Sequence, residues 1–211
     1  MNKELEKYCD QHSSKELSLL QELTRQTFVN ILNPRMLSGH SQGLFLQLIV
    51  AMIRPKRVLE IGTYTGYSAL CLAKNLDENS LLHTIEINDE VAAFAQKFFK
   101  KSEFCSKILS HVGDAVEIIA QFNEMFQLVF MDGNKRDYVK YYNCIFDKVE
   151  SGGFIIADNV LWDGHVLDEN KLLNDAQTKG ISEFNEMIRN DERVEKLMLP
   201  LRDGLLVIRK I

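Results

Sequence analysis

The chain has 211 residues, 45% hydrophobic and 26% charged, with a formal net charge of −5, the balance of an ordinary globular protein able to bury its core as one domain. The acidic balance argues against a nucleic-acid backbone as the main partner, and the basic clusters at Arg54, Lys56, Arg57 and Lys97, Lys100, Lys101 are offset by acids and read as solvated faces. No apolar run approaches the roughly 18 residues of a membrane span, MNKELEKYCD lacks a signal peptide's apolar core, and Cys9, Cys71, Cys105 and Cys144 lack CxxC spacing, so reduced thiols in the cytoplasm are expected.

In chain order, residues 3–30 interleave Leu with charge and contain no Gly or Pro, which predicts a helix ended at Asn33-Pro34. A loop, MLSGHSQG (36–43), leads into a second helix, LFLQLIVAMI, which Arg54-Pro55 stops. From there short apolar runs alternate with helical stretches. The expected strands are 57–61, 81–87, 108–112, 127–131 and 152–159, and the expected helices are 67–76, 89–101, 114–122, 136–149 and 171–190. VEKLMLPL and DGLLVIRKI then read as an antiparallel hairpin turning through Arg202-Asp203-Gly204. Several strands are continuously apolar, the mark of a parallel sheet covered on both faces. The expected fold is α/β: a doubly wound, mostly parallel Rossmann-like sheet with helices on both faces and a C-terminal antiparallel hairpin. A single domain is expected over 1–211, with 1–54 a helical segment covering the site and 55–211 the core.

Ligands of such sheets bind outside the carboxyl ends of the strands. Five consecutive strand-like runs end in acids: Glu60, Glu86, Asp114, Asp132 and Asp158. A carboxylate is costly to desolvate, and a fold with no use for one can place Ser, Thr, Asn or Gly there. In EIGTYTGYS, Gly62 and Gly66 allow a sharp turn and a close approach of backbone to ligand, but the spacing is not GxGxxG, which disfavours an NAD-dependent reductase. Glu86, ending the next strand, is placed to accept hydrogen bonds from ribose hydroxyls. A nucleoside without pyrophosphate fits this arrangement. Asp114 either bounds an adenine or caps the helix that follows.

VLEIGTYTGYSAL, TIEIN, GDA, FMDGNKRDYVKYY, GGFIIADNVLW and DGLLVIRK, in this order and spacing, resemble the class I S-adenosylmethionine-dependent O-methyltransferases. The resemblance is to the small cation-dependent group that includes caffeoyl-CoA and catechol O-methyltransferases, and it runs from about residue 34 to the C-terminus. It implies methyl transfer to a hydroxyl of a catechol-type or hydroxycinnamoyl-type small molecule, and a homodimer. On the matching positions it implies that Met36, Ser38, Glu60, Gly62, Ser68, Glu86, Asp114, Ala115 and Asp132 hold S-adenosylmethionine. It also implies that Lys135 is the general base.

Asp132, Asp158 and Asn159 end adjacent strands and offer two carboxylates and an amide oxygen. Such an oxygen set suits a hard divalent ion, Mg²⁺ above all, with Mn²⁺ or Ca²⁺ as alternatives, and the resembling enzymes use the matching residues for it. Each residue also has a plainer reading: Asp158-Asn159 as a turn cap, Lys135 as a surface residue, Met36 as core. Tyr138, Tyr141 and Tyr142 fall at helical spacing and read as packing. Trp162, the one tryptophan, is expected to flank a flat acceptor ring. A non-catalytic S-adenosylmethionine-binding protein of the same fold is the alternative function. Near residues 197–200 there is no counterpart of the third acid with which the catechol enzyme holds its substrate.

Overall fold

A computed structural model describes residues 3–211. Seven strands form one sheet in the order β3-β2-β1-β4-β5-β7-β6. They are β1 (Arg57–Ile61), β2 (Leu81–Glu86), β3 (Ile108–Val112), β4 (Phe126–Met131), β5 (Val149–Asp158), β6 (Val194–Leu199) and β7 (Leu205–Lys210). The first five run parallel. β7 inserts antiparallel between β5 and β6, so the expected hairpin forms and joins the sheet through its second strand. The helices are α1 (Lys3–Gln11), α2 (Ser18–Asn30), α3 (His40–Ile53), α4 (Tyr67–Lys74), α5 (Asp89–Lys101), α6 (Ala115–Gln121), α7 (Tyr138–Ile145), α8 (Glu169–Asn174) and α9 (Ala176–Asn190).

The apolar strand runs are explained by two cores. Val58, Leu128, Phe130 and Ile156 face one side and pack with Leu46, Val50, Leu70 and Phe99 of α3, α4 and α5. Leu59, Ile61, Val129, Met131 and Ile155 face the other and pack with Ile119, Tyr138, Tyr142 and Phe184 of α6, α7 and α9. Successive residues of a strand point to opposite faces, so a central strand with both faces covered has no polar positions to alternate. Truncating one such ring, Phe130→Ala, is worth about 3–5 kcal/mol.

Several helix boundaries differ from those expected. The helix expected over 3–30 breaks between α1 and α2. Ser13 Oγ donates to the Cys9 carbonyl at 2.7 Å, a local bond that competes with continuation of the helix. The loop expected over 36–43 is helical from His40. The helix expected over 136–149 is α7 flanked by 3₁₀ turns at Lys135–Asp137 and Phe146–Lys148. The helix expected over 171–190 is cut at Asp175, whose carboxylate accepts from the N–H groups of Gln177 and Thr178 and starts α9 afresh.

One described stretch, Pro34–Ile53, has the length and composition of a membrane span at a mean hydropathy of 1.3, although none was expected. It is not one continuous α-helix. A 3₁₀ turn at Pro34–Met36 precedes the 14-residue α3, which reaches about 21 Å at 1.5 Å per residue, short of the roughly 30 Å hydrocarbon core. Leu46 and Val50 spend its apolar character inside the fold, both at 0% exposure.

Candidate active site

The chain reverses direction across the sheet between β1 and β4, the neighbours from which the strand order runs outward both ways. Ligand crevices of open α/β sheets form at such a point. Here Asp132 N–H donates to the Ile61 carbonyl at 2.8 Å, and Gly62 N–H donates to the Ile85 carbonyl at 2.9 Å. Gly62 has φ +98°, and a Cβ on it would overlap the Asp132 carbonyl oxygen. Glycine is required there on both counts. Above this junction opens a cleft of about 890 Å³.

One half of the cleft is lined by Met36, Ser38, Gly62, Tyr64, Glu86, Ile87, Asp114 and Ala115. Glu86 is fixed through both oxygens: Oε2 accepts from Tyr64 N–H at 2.7 Å and Oε1 from Asn88 N–H at 3.0 Å. Asp114 does cap α6, with Oδ1 accepting from Val116 and Glu117 N–H at 2.8 and 3.2 Å, and it lines the cleft as well. Met36 and Ile87 are 61% and 73% exposed, so Met36 is a rim residue rather than core. Ser68 lines a small adjoining void with Met36, Ser38, Gly62 and Asp132. Glu60 stands apart: it does not line the cleft and lies wholly buried behind Gly62. Thr84 Oγ1 donates to its Oε2 at 2.5 Å, while Oε1 has no hydrogen-bond partner among the described residues. Burial, against the hydroxyls of Ser68 and Thr84, pushes its pKa from 4.5 to about 8.

The other half holds the remaining acids and the amine. Lys135, 6% exposed, places Nζ 2.6 Å from Asp132 Oδ1 and 2.7 Å from the Tyr138 hydroxyl. That hydroxyl lies 2.9 Å from the Asp158 carbonyl and 3.1 Å from the Met131 carbonyl, so its one proton serves the two strand ends while its oxygen receives Lys135. Tyr138 was expected only to pack; it packs fully and also anchors Lys135. Asp158, 3% exposed, has its pKa raised from 3.8 to about 7, first by burial and then by the Asp132 charge, with Lys135 and Gln42 opposing. Asn159 adopts the left-handed region at φ +57°, and its Nδ2 lies 3.4 Å from Asp203 Oδ2. Trp162 lines the cleft, its Nε1 donating to Asp175 Oδ2 at 3.4 Å.

Among the described residues, no three His, Cys, Asp or Glu side chains form a metal-holding group. The donors at the two strand ends are two carboxylates and one amide, all oxygen. The raised pKa of Asp158 marks a buried carboxylate short of positive charge. Both observations fit a hard cation seated there.

Sequence reasoning left out several residues of this cleft. Gln42 donates Nε2 to Asp158 Oδ2 at 2.5 Å across 116 positions, and no local signal points to it. Asp203 does not line the cleft but stands behind Asn159, in the turn already singled out for the hairpin. Arg35, Tyr64, Gln177 and Arg202 also line the cleft.

The model of a family described as O-methyltransferase matches residues 10–211. A catechol O-methyltransferase of Niastella koreensis is 34% identical over 165 residues, which cover 76% of this chain and 74% of that protein. A probable caffeoyl-CoA O-methyltransferase of Dictyostelium discoideum is 30% identical over 215 aligned positions, covering 100% of this chain and 93% of its own. The structure of the O-methyltransferase TomG from Streptomyces achromogenes in complex with SAM superimposes with a TM-score of 0.89 at 26% identity, covering 98% of this chain and 96% of that one. The chain belongs to the S-adenosylmethionine-dependent O-methyltransferase family.

Proposed function

We propose that this protein methylates a hydroxyl of a catechol-type or hydroxycinnamoyl-type small molecule, with S-adenosylmethionine as donor and a divalent cation, Mg²⁺ foremost, at Asp132, Asp158 and Asn159. The observation that carries the reading is the meeting of those three residues and Lys135 in one cleft with the glycine turn and Glu86. The catechol and caffeoyl-CoA names of the two relatives support the acceptor class.

When bound, the sulfonium supplies an electrophilic methyl group, and a divalent cation supplies positive charge that favours an ionised hydroxyl. On the donor side, Gly62 and Ser68 hold the methionine part with Glu60 behind the turn, and Met36 and Ser38 close over the cofactor. Glu86 receives the ribose hydroxyls, and Asp114 and Ala115 bound the adenine. On the acceptor side, Trp162 flanks the ring and the strand-end oxygens fix the direction of the hydroxyl, so orientation supplies much of the rate. Lys135 Nζ takes the proton the hydroxyl releases as the new O–C bond forms and the S–C bond breaks, its electron pair staying on sulfur. Asp132 Oδ1 and the Tyr138 hydroxyl hold that amine in place.

The same reading includes a homodimer, supported by the exposed apolar residues Leu48 and Met52 of α3 and Phe28 and Val29 of α2 and tested by sedimentation equilibrium. It also includes a cytoplasmic setting, supported by four unpaired cysteines. The test of function is a radiolabelled methyl-transfer screen over catechols and hydroxycinnamoyl esters, with S-adenosylhomocysteine binding measured in parallel. Transfer to a vicinal diphenol is expected. Nucleoside binding with no turnover on any such acceptor would favour the non-catalytic alternative.

A further inference from the structure

Both oxygens of Asp158 are engaged within the chain: Oδ1 accepts from Asn159 N–H at 2.7 Å and Oδ2 from Gln42 Nε2 at 2.5 Å. Gln42 is 1% exposed and sits in the first turn of α3. An ionised carboxylate only accepts, so with Asp158 ionised the contact sets the amide with Nε2 toward it. The backbone beneath it has no slack. The neighbouring Gly43 lies so close to α4 that a Cβ would come within 2.8 Å of both Cys71 Sγ and the Tyr67 ring. Leu37 and Ser38, each 6% exposed, precede α3 and form the wall that lines the donor side of the cleft. The Leu37 carbonyl is itself held by Arg202 Nη1 at 2.9 Å. Only residues 39–41 separate Gln42 from that wall, and Gly43 N–H donates to the Gly39 carbonyl at 2.9 Å, so a path of backbone joins Asp158 through Gln42 to Leu37 and Ser38.

We propose that Gln42 is a positioning residue that couples the cation side of the cleft to the cofactor side. This rests on the proposed function, since it takes Asp158 as a cation ligand and Ser38 as a donor contact. A cation that fixes Asp158 also fixes the amide bonded to it and, through the first turn of α3, the wall at Leu37 and Ser38. The donor then meets a wall already in place, and by linkage the donor tightens the cation equally. Residues that orient metal ligands from behind are typically worth about 10–100-fold in metal affinity.

The experiment measures S-adenosylhomocysteine affinity by calorimetry without metal and at saturating Mg²⁺, and Mn²⁺ affinity by electron paramagnetic resonance. It compares the full chain with Gln42→Leu and Gln42→Met, the unbranched Met serving if Leu cannot be seated. The unsubstituted protein is expected to bind the nucleoside about 5- to 150-fold more tightly with Mg²⁺, the usual range of such couplings. In the variants this ratio should fall to near one and Mn²⁺ should bind about 10–100-fold more weakly. A residue that only packs would lower melting temperature, or both nucleoside affinities alike, and leave the ratio intact; that result overturns the proposal, as does an unsubstituted protein that binds both ligands without coupling. Nucleoside binding with no Mg²⁺ or Mn²⁺ binding at all would overturn the cation reading itself, a distinct failure.

Discussion

Lys135 Nζ lies 2.6 Å from Asp132 Oδ1 at the end of β4, with the lysine 6% exposed. A buried amine is held here because the Asp132 carboxylate and the Tyr138 hydroxyl both accept from it. Replacing it with an apolar side chain of similar length removes the proposed proton acceptor and leaves the cleft walls standing. Lys135→Met should lower kcat by about 10²–10⁴-fold, the usual worth of a positioned acid or base, and leave S-adenosylhomocysteine affinity within about threefold. A kcat within a factor of ten of the unsubstituted protein would remove Lys135 from the chemistry.

Glu86 is held through both oxygens by Tyr64 and Asn88 N–H, so its carboxylate is set in place before any ligand arrives. A hydrogen bond to a charged group contributes about 1.5–3 kcal/mol. Glu86→Gln should therefore weaken S-adenosylhomocysteine about 10–100-fold by calorimetry. An unchanged dissociation constant would mean that the ribose is held elsewhere.

Gly62→Ala combines a forbidden backbone region, φ +98°, with an overlap against the Asp132 carbonyl. Strain of this kind costs about 1–3 kcal/mol, readable as a lower denaturation midpoint in urea. Because the displaced atom belongs to Asp132, nucleoside binding should weaken too. Stability and binding equal to those of the unsubstituted protein would show that the β1–β4 junction can open at no cost.

Glu60 and Asp158 make the metal-free protein's stability depend on pH. Their folded pKa values stand at about 8 and about 7, above unfolded values of 4.5 and 3.8. Between those limits the folded state holds more protons than the unfolded one, so stability is fullest in acid and falls as pH rises toward 8. Urea unfolding without metal should give a free energy that drops from pH 5 to pH 8, and Glu60→Gln should flatten the drop. A free energy that rises over that interval would contradict the burial of Glu60.

The parts of this architecture that were legible in the sequence are local. Runs such as LVFM and FIIA are apolar because both sheet faces are covered, and the acids stand where those runs stop. Helix ends were less legible where a side chain intervenes: Ser13 bonding back to Cys9 and Asp175 restarting α9 have no counterpart in apolar periodicity. Gln42 and Asp158 meet across 116 positions, and only tertiary folding brings them together. Glu60 reads from its position like the other strand-end acids. Its burial away from the cleft is set by β2 and α4, through Thr84 and Ser68.

The central claim, a divalent cation held by Asp132, Asp158 and Asn159 during methyl transfer, is tested most directly by chelation. Methyl transfer from labelled S-adenosylmethionine to a catechol is measured with excess Mg²⁺, after EDTA, and after Mg²⁺ is restored, for the unsubstituted protein and for Asp158→Ala. Transfer that EDTA abolishes and Mg²⁺ restores, with Asp158→Ala inactive throughout, is the predicted result. Transfer untouched by EDTA would contradict it.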